Sequence, residues 1–157
     1  MAPSTTLSIY IDPALDAYRT SASTYISHQP SEQLVGILCA AVILHKGRVL
    51  LIQRAAGDDY PNVWEVPGGV AHDNETIIDC AVRELWEETG LRASAVTTVL
   101  GEFKYDNGLL PPSSSAKRGK WTRFISRVIV DDESLELEIK LDFKVVSSPY
   151  RVYGGVF

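Results

Sequence analysis

Cysteine is scarce in this chain. Cys39 and Cys80 are the only two in 157 residues, and they stand too isolated to form a disulfide framework. Reduced thiols in a reducing compartment, the cytoplasm, are expected. Long apolar runs are absent as well, and none approaches the roughly 20 residues a membrane-spanning helix needs. The N-terminus lacks the basic-then-apolar order of a signal peptide. Positive charge is also short, with 15 Lys and Arg against 20 Asp and Glu and a net charge of −5. That balance argues against a surface for nucleic-acid polymers. His28, His45 and His72 show no metal-ligand spacing, and no segment repeats.

What is present suits a modest soluble enzyme. Apolar residues make up 45%, ordinary for a globular protein, and the length suits one domain with a real core. An anionic ligand would have to be attracted locally, by a metal ion and a few basic side chains.

The most informative stretch is 69–91, GVAHDNETIIDCAVRELWEETGL. Relative to Ile78, the apolar residues Ala81, Val82 and Leu85 fall at i+3, i+4 and i+7, which is a one-sided stripe at helical period. Asp73 or Asn74 can cap the start, and Glu75 suits the first turn, where the helix dipole favours negative charge. Gly90 stands where a glycine stops a helix. A helix is therefore expected from about Asn74 to Thr89. Glu84, Glu87 and Glu88 then lie within roughly 100° of arc beside the apolar stripe. Like charges at these spacings cost roughly 0.2–0.5 kcal/mol per pair in a bare helix, and Arg83 offsets part of that. Spacing alone leaves two readings open: a solvated acidic face, or carboxylates that hold a hard cation such as magnesium.

The full pattern, G-x5-E-x7-R-E-L-W-E-E-T-G-L, resembles the Nudix box, and Gly69, Glu75, Arg83, Glu84, Glu87, Glu88 and Gly90 fill its fixed positions. Trp64-Glu-Val-Pro-Gly-Gly69 resembles the W-x-x-P-G-G entry common in that family. The likeness extends from about Val35 to Lys140. It implies a Nudix-type α/β/α sandwich with a mixed sheet, and a Mg²⁺- or Mn²⁺-dependent hydrolase of a nucleoside diphosphate linked to another moiety, or of a related organic pyrophosphate. It also implies that Glu84, Glu87, Glu88 and the Gly69 carbonyl hold metal, that Arg83 orients a glutamate, and that Glu75 holds the loop–helix junction. Glu84 or Glu87 could instead act as general base. A prenyl-diphosphate-processing enzyme and a non-catalytic binding module on the same fold are the alternatives; both usually carry an altered box, and this one is intact.

The remaining chain reads as follows. Residues 1–34 form an arm packed on a domain of residues 35–157, with a short helix from Asp12-Pro13 to about Tyr25. Ile37–His45 and Arg48–Arg54 read as a strand hairpin split at Lys46-Gly47. A short strand spans Trp64–Val66, and further strands span Val96–Tyr105, Trp121–Val130 and Leu135–Leu141, with a long loop over 107–120. The end of the chain, from Asp142 to Phe157, has no helical period. The family's usual final helix is therefore expected to be missing or replaced, by an added strand, a dimer contact or the truncated end of a longer product.

Several residues outside the helix carry two readings. Gly68 and Gly69 form a turn, or let backbone approach a metal as only glycine permits. Arg54 touches phosphate or is a surface residue. Trp64, Tyr105 and Trp121 pack in the core or line the substrate site, and core packing is favoured for each taken alone. Lys117, Arg118 and Lys120 solvate a loop or read the substrate.

Overall fold

The computed structural model describes residues 8–57, 61–108 and 117–131, and the backbone of 151–153. In chain order the elements are β1 (Tyr10–Ile11), a 3-10 stretch (Pro13–Arg19), α1 (Ala22–Ser27), a 3-10 turn (Pro30–Glu32), β2 (Leu34–Val42), β3 (Leu44–His45), β4 (Arg48–Val49), β5 (Leu51–Gln53), β6 (Trp64–Glu65), β7 (Gly68–Val70), α2 (Ile77–Thr89), β8 (Ala93–Asp106), β9 (Lys120–Val130) and β10 (Arg151–Tyr153).

Five strands form a mixed sheet in the order β1-β8-β9-β2-β7. β1 runs parallel to β8 and β9 parallel to β2, whereas β8–β9 and β2–β7 are antiparallel. Alternation decides which face is buried. Thr122, Phe124, Ser126, Val128 and Val130 of β9 all point inward, as the period-2 pattern predicts. On that face they meet Ile37, Cys39 and Ala41 of β2, and the apolar stripe of α2, with Ile77, Ile78, Ala81 and Leu85 fully buried. Burying each of the isoleucine and leucine side chains contributes about 1.5–3 kcal/mol.

The N-terminal segment joins the same core. Leu15 and Ala22 are buried in it, and Tyr18 and Tyr25 meet the Phe124 ring edge-on at 5.9 and 5.1 Å. The single short helix expected here is two pieces. Ser21 is extended (ψ 154°), bridges to Thr76 and caps α1 by accepting from the Thr24 amide at 3.2 Å, which breaks the chain between them.

The helix of the acidic stretch starts later than expected. Its cap is Thr76, whose hydroxyl accepts from the Asp79 amide at 3.0 Å and donates to the Asp79 carboxylate at 2.7 Å. Asp73 and Asn74 lie before it because the Glu75 amide turns back to the His72 carbonyl. Gly90 ends the helix in the left-handed region (φ 73°), as expected.

The anticipated hairpin is shorter than the two apolar runs suggest. Lys46 (φ 49°) and Gly47 (φ 74°) form the turn, but the strands paired across it are only β3 and β4. β2 is taken by β7 and β9, and β5 leaves for a second sheet ordered β10-β5-β6. Pairing with distant strands outcompetes continuation of the local ladder. Gly68 and Gly69, expected as a turn or an open approach, form strand β7 against Ala40 and Cys39.

Both described helices lie on one face of the main sheet, and none is long and apolar enough to cross a membrane. The strand expected at 135–141 and most of the 142–157 segment lie outside the described residues, apart from β10, whose backbone pairs antiparallel with β5.

Candidate active site

The acids of α2 meet the glycine strand β7. Arg83 is the hub. Its guanidinium bonds both oxygens of Glu75, at 2.7 and 2.9 Å, Glu84 at 2.7 Å, Glu87 at 2.8 Å and the Val70 carbonyl at 3.0 Å. Charge-assisted bonds of this kind are the strong ones and fix geometry as well as charge. The Glu75 bond and, less, the Glu84 bond and charge hold the guanidinium further into its charged form against its partial burial. Glu75 is pulled below the usual carboxylate range: burial opposes this, but the bonds from Arg83 and the His72 amide outweigh it. Glu75 thus ties the loop at His72 to the helix.

The three metal candidates differ in environment. Glu87 is half exposed, with its side chain at 53% accessibility, and Glu84 is nearly covered at 13%. Burial pushes the Glu84 carboxyl above its ordinary range even though Arg83 pulls the other way. Glu88 is buried, and its carboxylate accepts from the Gly68 amide at 2.8 Å. At Gly69 a Cβ would strike the Glu84 carboxylate, which would have to move aside. At Gly68 a Cβ would lie 2.5 Å from the Cys39 carbonyl oxygen. Cys80 fills the space beneath, with its thiol 3.8 Å from the Gly69 carbonyl and 3.7 Å from Arg83. The adjoining Cys39 thiol and burial push its pKa up, and the side chain is fully buried in the core.

By chemistry this donor set fits a hard divalent cation: carboxylate and carbonyl oxygens, and a backbone with no side chain in the way. By arrangement, Glu84 and Glu87 are turned onto Arg83, and no three acidic, His or Cys side chains among the described residues already converge as a metal site.

The residues expected to contact substrate are scattered. Arg54 is paired to Glu65 at 2.8 Å. Trp64 on β6 is 43% exposed and Tyr105 on β8 is 38% exposed, so core packing holds only for Trp121, whose ring covers Gly36. Trp64 and Tyr105 occupy strands whose faces are left open, which the sequence pattern around each does not reveal. Lys117, Arg118 and Lys120 are exposed, and Lys120 sits opposite Asp106 at the end of the β8–β9 ladder. A cleft on the open face of the sheet is lined by Leu38, Cys39, Ala40, Glu65, Val66, Gly68, Gly69 and Arg123. Arg123 had no motif to announce it. Its only signal was its place at an outward position of the alternating β9 strand.

The NUDIX domain model matches residues 33–145. The chain belongs to the Nudix family. A Danio rerio relative, "m7GpppN-mRNA hydrolase NUDT17", is 28% identical over 123 residues, or 73% of this chain and 40% of that protein. The Escherichia coli "CTP pyrophosphohydrolase" is 42% identical over 55 residues, 35% of this chain and 41% of that one. The Nudix chain therefore matches about two fifths of the length of these relatives. A solved NUDIX hydrolase from Nitrosomonas europaea is 22% identical and covers 63% of each chain with a TM-score of 0.49. Nudix proteins generally use divalent metal ions.

Proposed function

We propose that this Nudix chain hydrolyses the pyrophosphate linkage of a nucleoside diphosphate joined to another moiety, with Mg²⁺ or Mn²⁺ held by Glu84, Glu87, Glu88 and the Gly69 carbonyl. The observation that carries this reading is the gathering of four glutamates and Arg83 against the side-chain-free backbone of Gly68–Gly69. A divalent cation, when bound there, supplies charge neutralisation on the diphosphate and activation of water for in-line attack at phosphorus. The chain's own groups prepare that chemistry. Arg83 positions Glu84 and Glu87, Glu75 anchors Arg83, and the Gly68 amide holds Glu88 in the buried junction. In this reading Glu84 or Glu87 accepts the proton of the attacking water. The name of the E. coli relative supports cleavage of a pyrophosphate. The net charge of −5 favours a small anionic substrate over a nucleic-acid polymer, and the buried free thiols suit the reducing cytoplasm.

The test is phosphate or nucleotide release from a panel of nucleoside diphosphate conjugates, prenyl diphosphates and an m7GpppN cap analogue. Turnover is expected with Mg²⁺ or Mn²⁺. It should be weak with Ca²⁺, whose coordination is looser, and absent in excess EDTA. Full turnover in EDTA would reject the metal assignment. Product only from the cap analogue would move the substrate class to capped RNA, and binding without release would make the chain a non-catalytic module.

A further inference from the structure

We propose that Arg123 is the side chain that grips the anionic phosphoryl oxygens of the substrate on the open face of the sheet, with the Tyr105 ring as its support. This deepens the reading of the site as a pyrophosphohydrolase and rests on it. The position follows from register. Arg123 of β9 pairs with Leu38 of β2, and Leu38 pairs with Val70 of β7, so one rung of the ladder leads from Arg123 to the glycine strand. Neighbouring β9 residues Thr122 and Phe124 point into the core, which leaves Arg123 on the opposite, exposed face. There it lines the same cleft as Gly68 and Gly69. β7 is an edge strand and carries no side chain at those two positions. Only glycine backbone therefore separates this cleft from the carboxylates of α2, and a diphosphate can lie across the edge and meet both.

Charge makes the assignment specific. Arg83 is committed to three glutamates and Arg54 to Glu65. Arg123 has no carboxylate bonded to it among the described residues. Its described partner is the face of Tyr105, 5.9 Å from the guanidinium carbon to the ring centroid. An aromatic face steadies the guanidinium without neutralising it, so the planar donor fork remains available for phosphate oxygens. In a net-negative chain whose site is built of carboxylates, this is the cation that the substrate side requires.

The experiment compares wild type, R123A, R123K and Y105L for kcat and KM on the best nucleoside diphosphate conjugate, and for inhibition by inorganic pyrophosphate. Melting temperature serves as the fold control. Loss of a charged hydrogen bond predicts that R123A raises both KM and the pyrophosphate inhibition constant about 10- to 100-fold, with kcat nearly kept. R123K should recover part of the loss, and Y105L should show a smaller rise in KM. If R123A weakens the conjugate but not pyrophosphate, Arg123 contacts the other moiety and the phosphoryl assignment is overturned. If wild type turns over while R123A keeps both constants within about twofold, well below the effect of one charged bond, the Arg123 assignment fails and the pyrophosphohydrolase reading stands. If wild type neither binds nor cleaves any member of the panel, the pyrophosphohydrolase reading itself fails.

Discussion

At the scale of single residues, the part Glu88 plays in the fold can be separated from the metal-binding part proposed for it. It is buried, and it satisfies the Gly68 amide, which would otherwise be an unpaired donor inside the junction of β7 and α2. Two substitutions separate the roles. In Glu88→Gln the amide oxygen still accepts from Gly68, and a buried charge next to Glu84 and Glu87 is removed. The melting temperature without metal should hold or rise while the hydrolysis rate falls by orders of magnitude. In Glu88→Ala the Gly68 amide loses its acceptor, which should cost about 1–3 kcal/mol of stability as well. Equal stability of the two variants by urea unfolding would show that the Gly68 bond contributes nothing. Near-wild-type turnover of the Gln variant would remove Glu88 from the metal ligands.

At the scale of elements, α2 depends on its first turn more than on its acidic middle. Its apolar stripe packs it on the sheet, but the acids crowd one side, so the cap has to offset repulsion within the helix. Thr76 and Asp79 close that turn reciprocally. Thr76→Ala should destabilise the protein by about 1 kcal/mol, and Thr76→Ser should recover most of it. The measurement is the midpoint of urea unfolding at constant slope. Activity should fall only in proportion to unfolded protein, because Thr76 touches none of the metal candidates. A loss of rate in fully folded Thr76→Ala would instead tie the cap to the positioning of Glu75 and Arg83.

At the scale of the whole molecule, the N-terminal segment is part of the core, and one side chain reports on that attachment. Tyr25 of α1 donates to Glu102 of β8 at 2.6 Å, and its ring packs on Phe124. Burial first, and the Glu102 carboxylate second, push its pKa from 10.0 up to about 12. The neutral phenol is therefore favoured in the folded state. Its stabilisation is fully present below pH 10, the unfolded value, and is lost as pH rises from there to about 12. Tyr25→Phe removes the titration but keeps the ring. The difference in melting temperature between wild type and Tyr25→Phe should be constant up to about pH 10 and shrink above it. A difference that does not change with pH would place the Tyr25–Glu102 bond outside the folded protein's stability.

The helix, its glycine stop, its acidic side and the strand alternation of β9 were all legible in the sequence, because each depends on residues within a turn or two of one another. Periodicity also predicted that Phe124, Ser126, Val128 and Val130 share one face, and they do. Local pattern could not reveal which strands pair. The apolar run after Leu34 reads as half of a hairpin, yet β2 lies between β7 and β9, because burying it on both sides outweighs extending a local turn. That choice of partners separates Glu88, tucked against Gly68, from the half-exposed Glu87 beside it, although helical spacing puts both on the acidic side. It also brings Arg123 to the cleft of Gly69 from more than fifty positions away in the chain. Chemistry carried by a contiguous motif was set by sequence alone. Chemistry carried by register across a mixed sheet was decided only by the tertiary structure, since a shift of one residue in β9 would have turned Arg123 into the core.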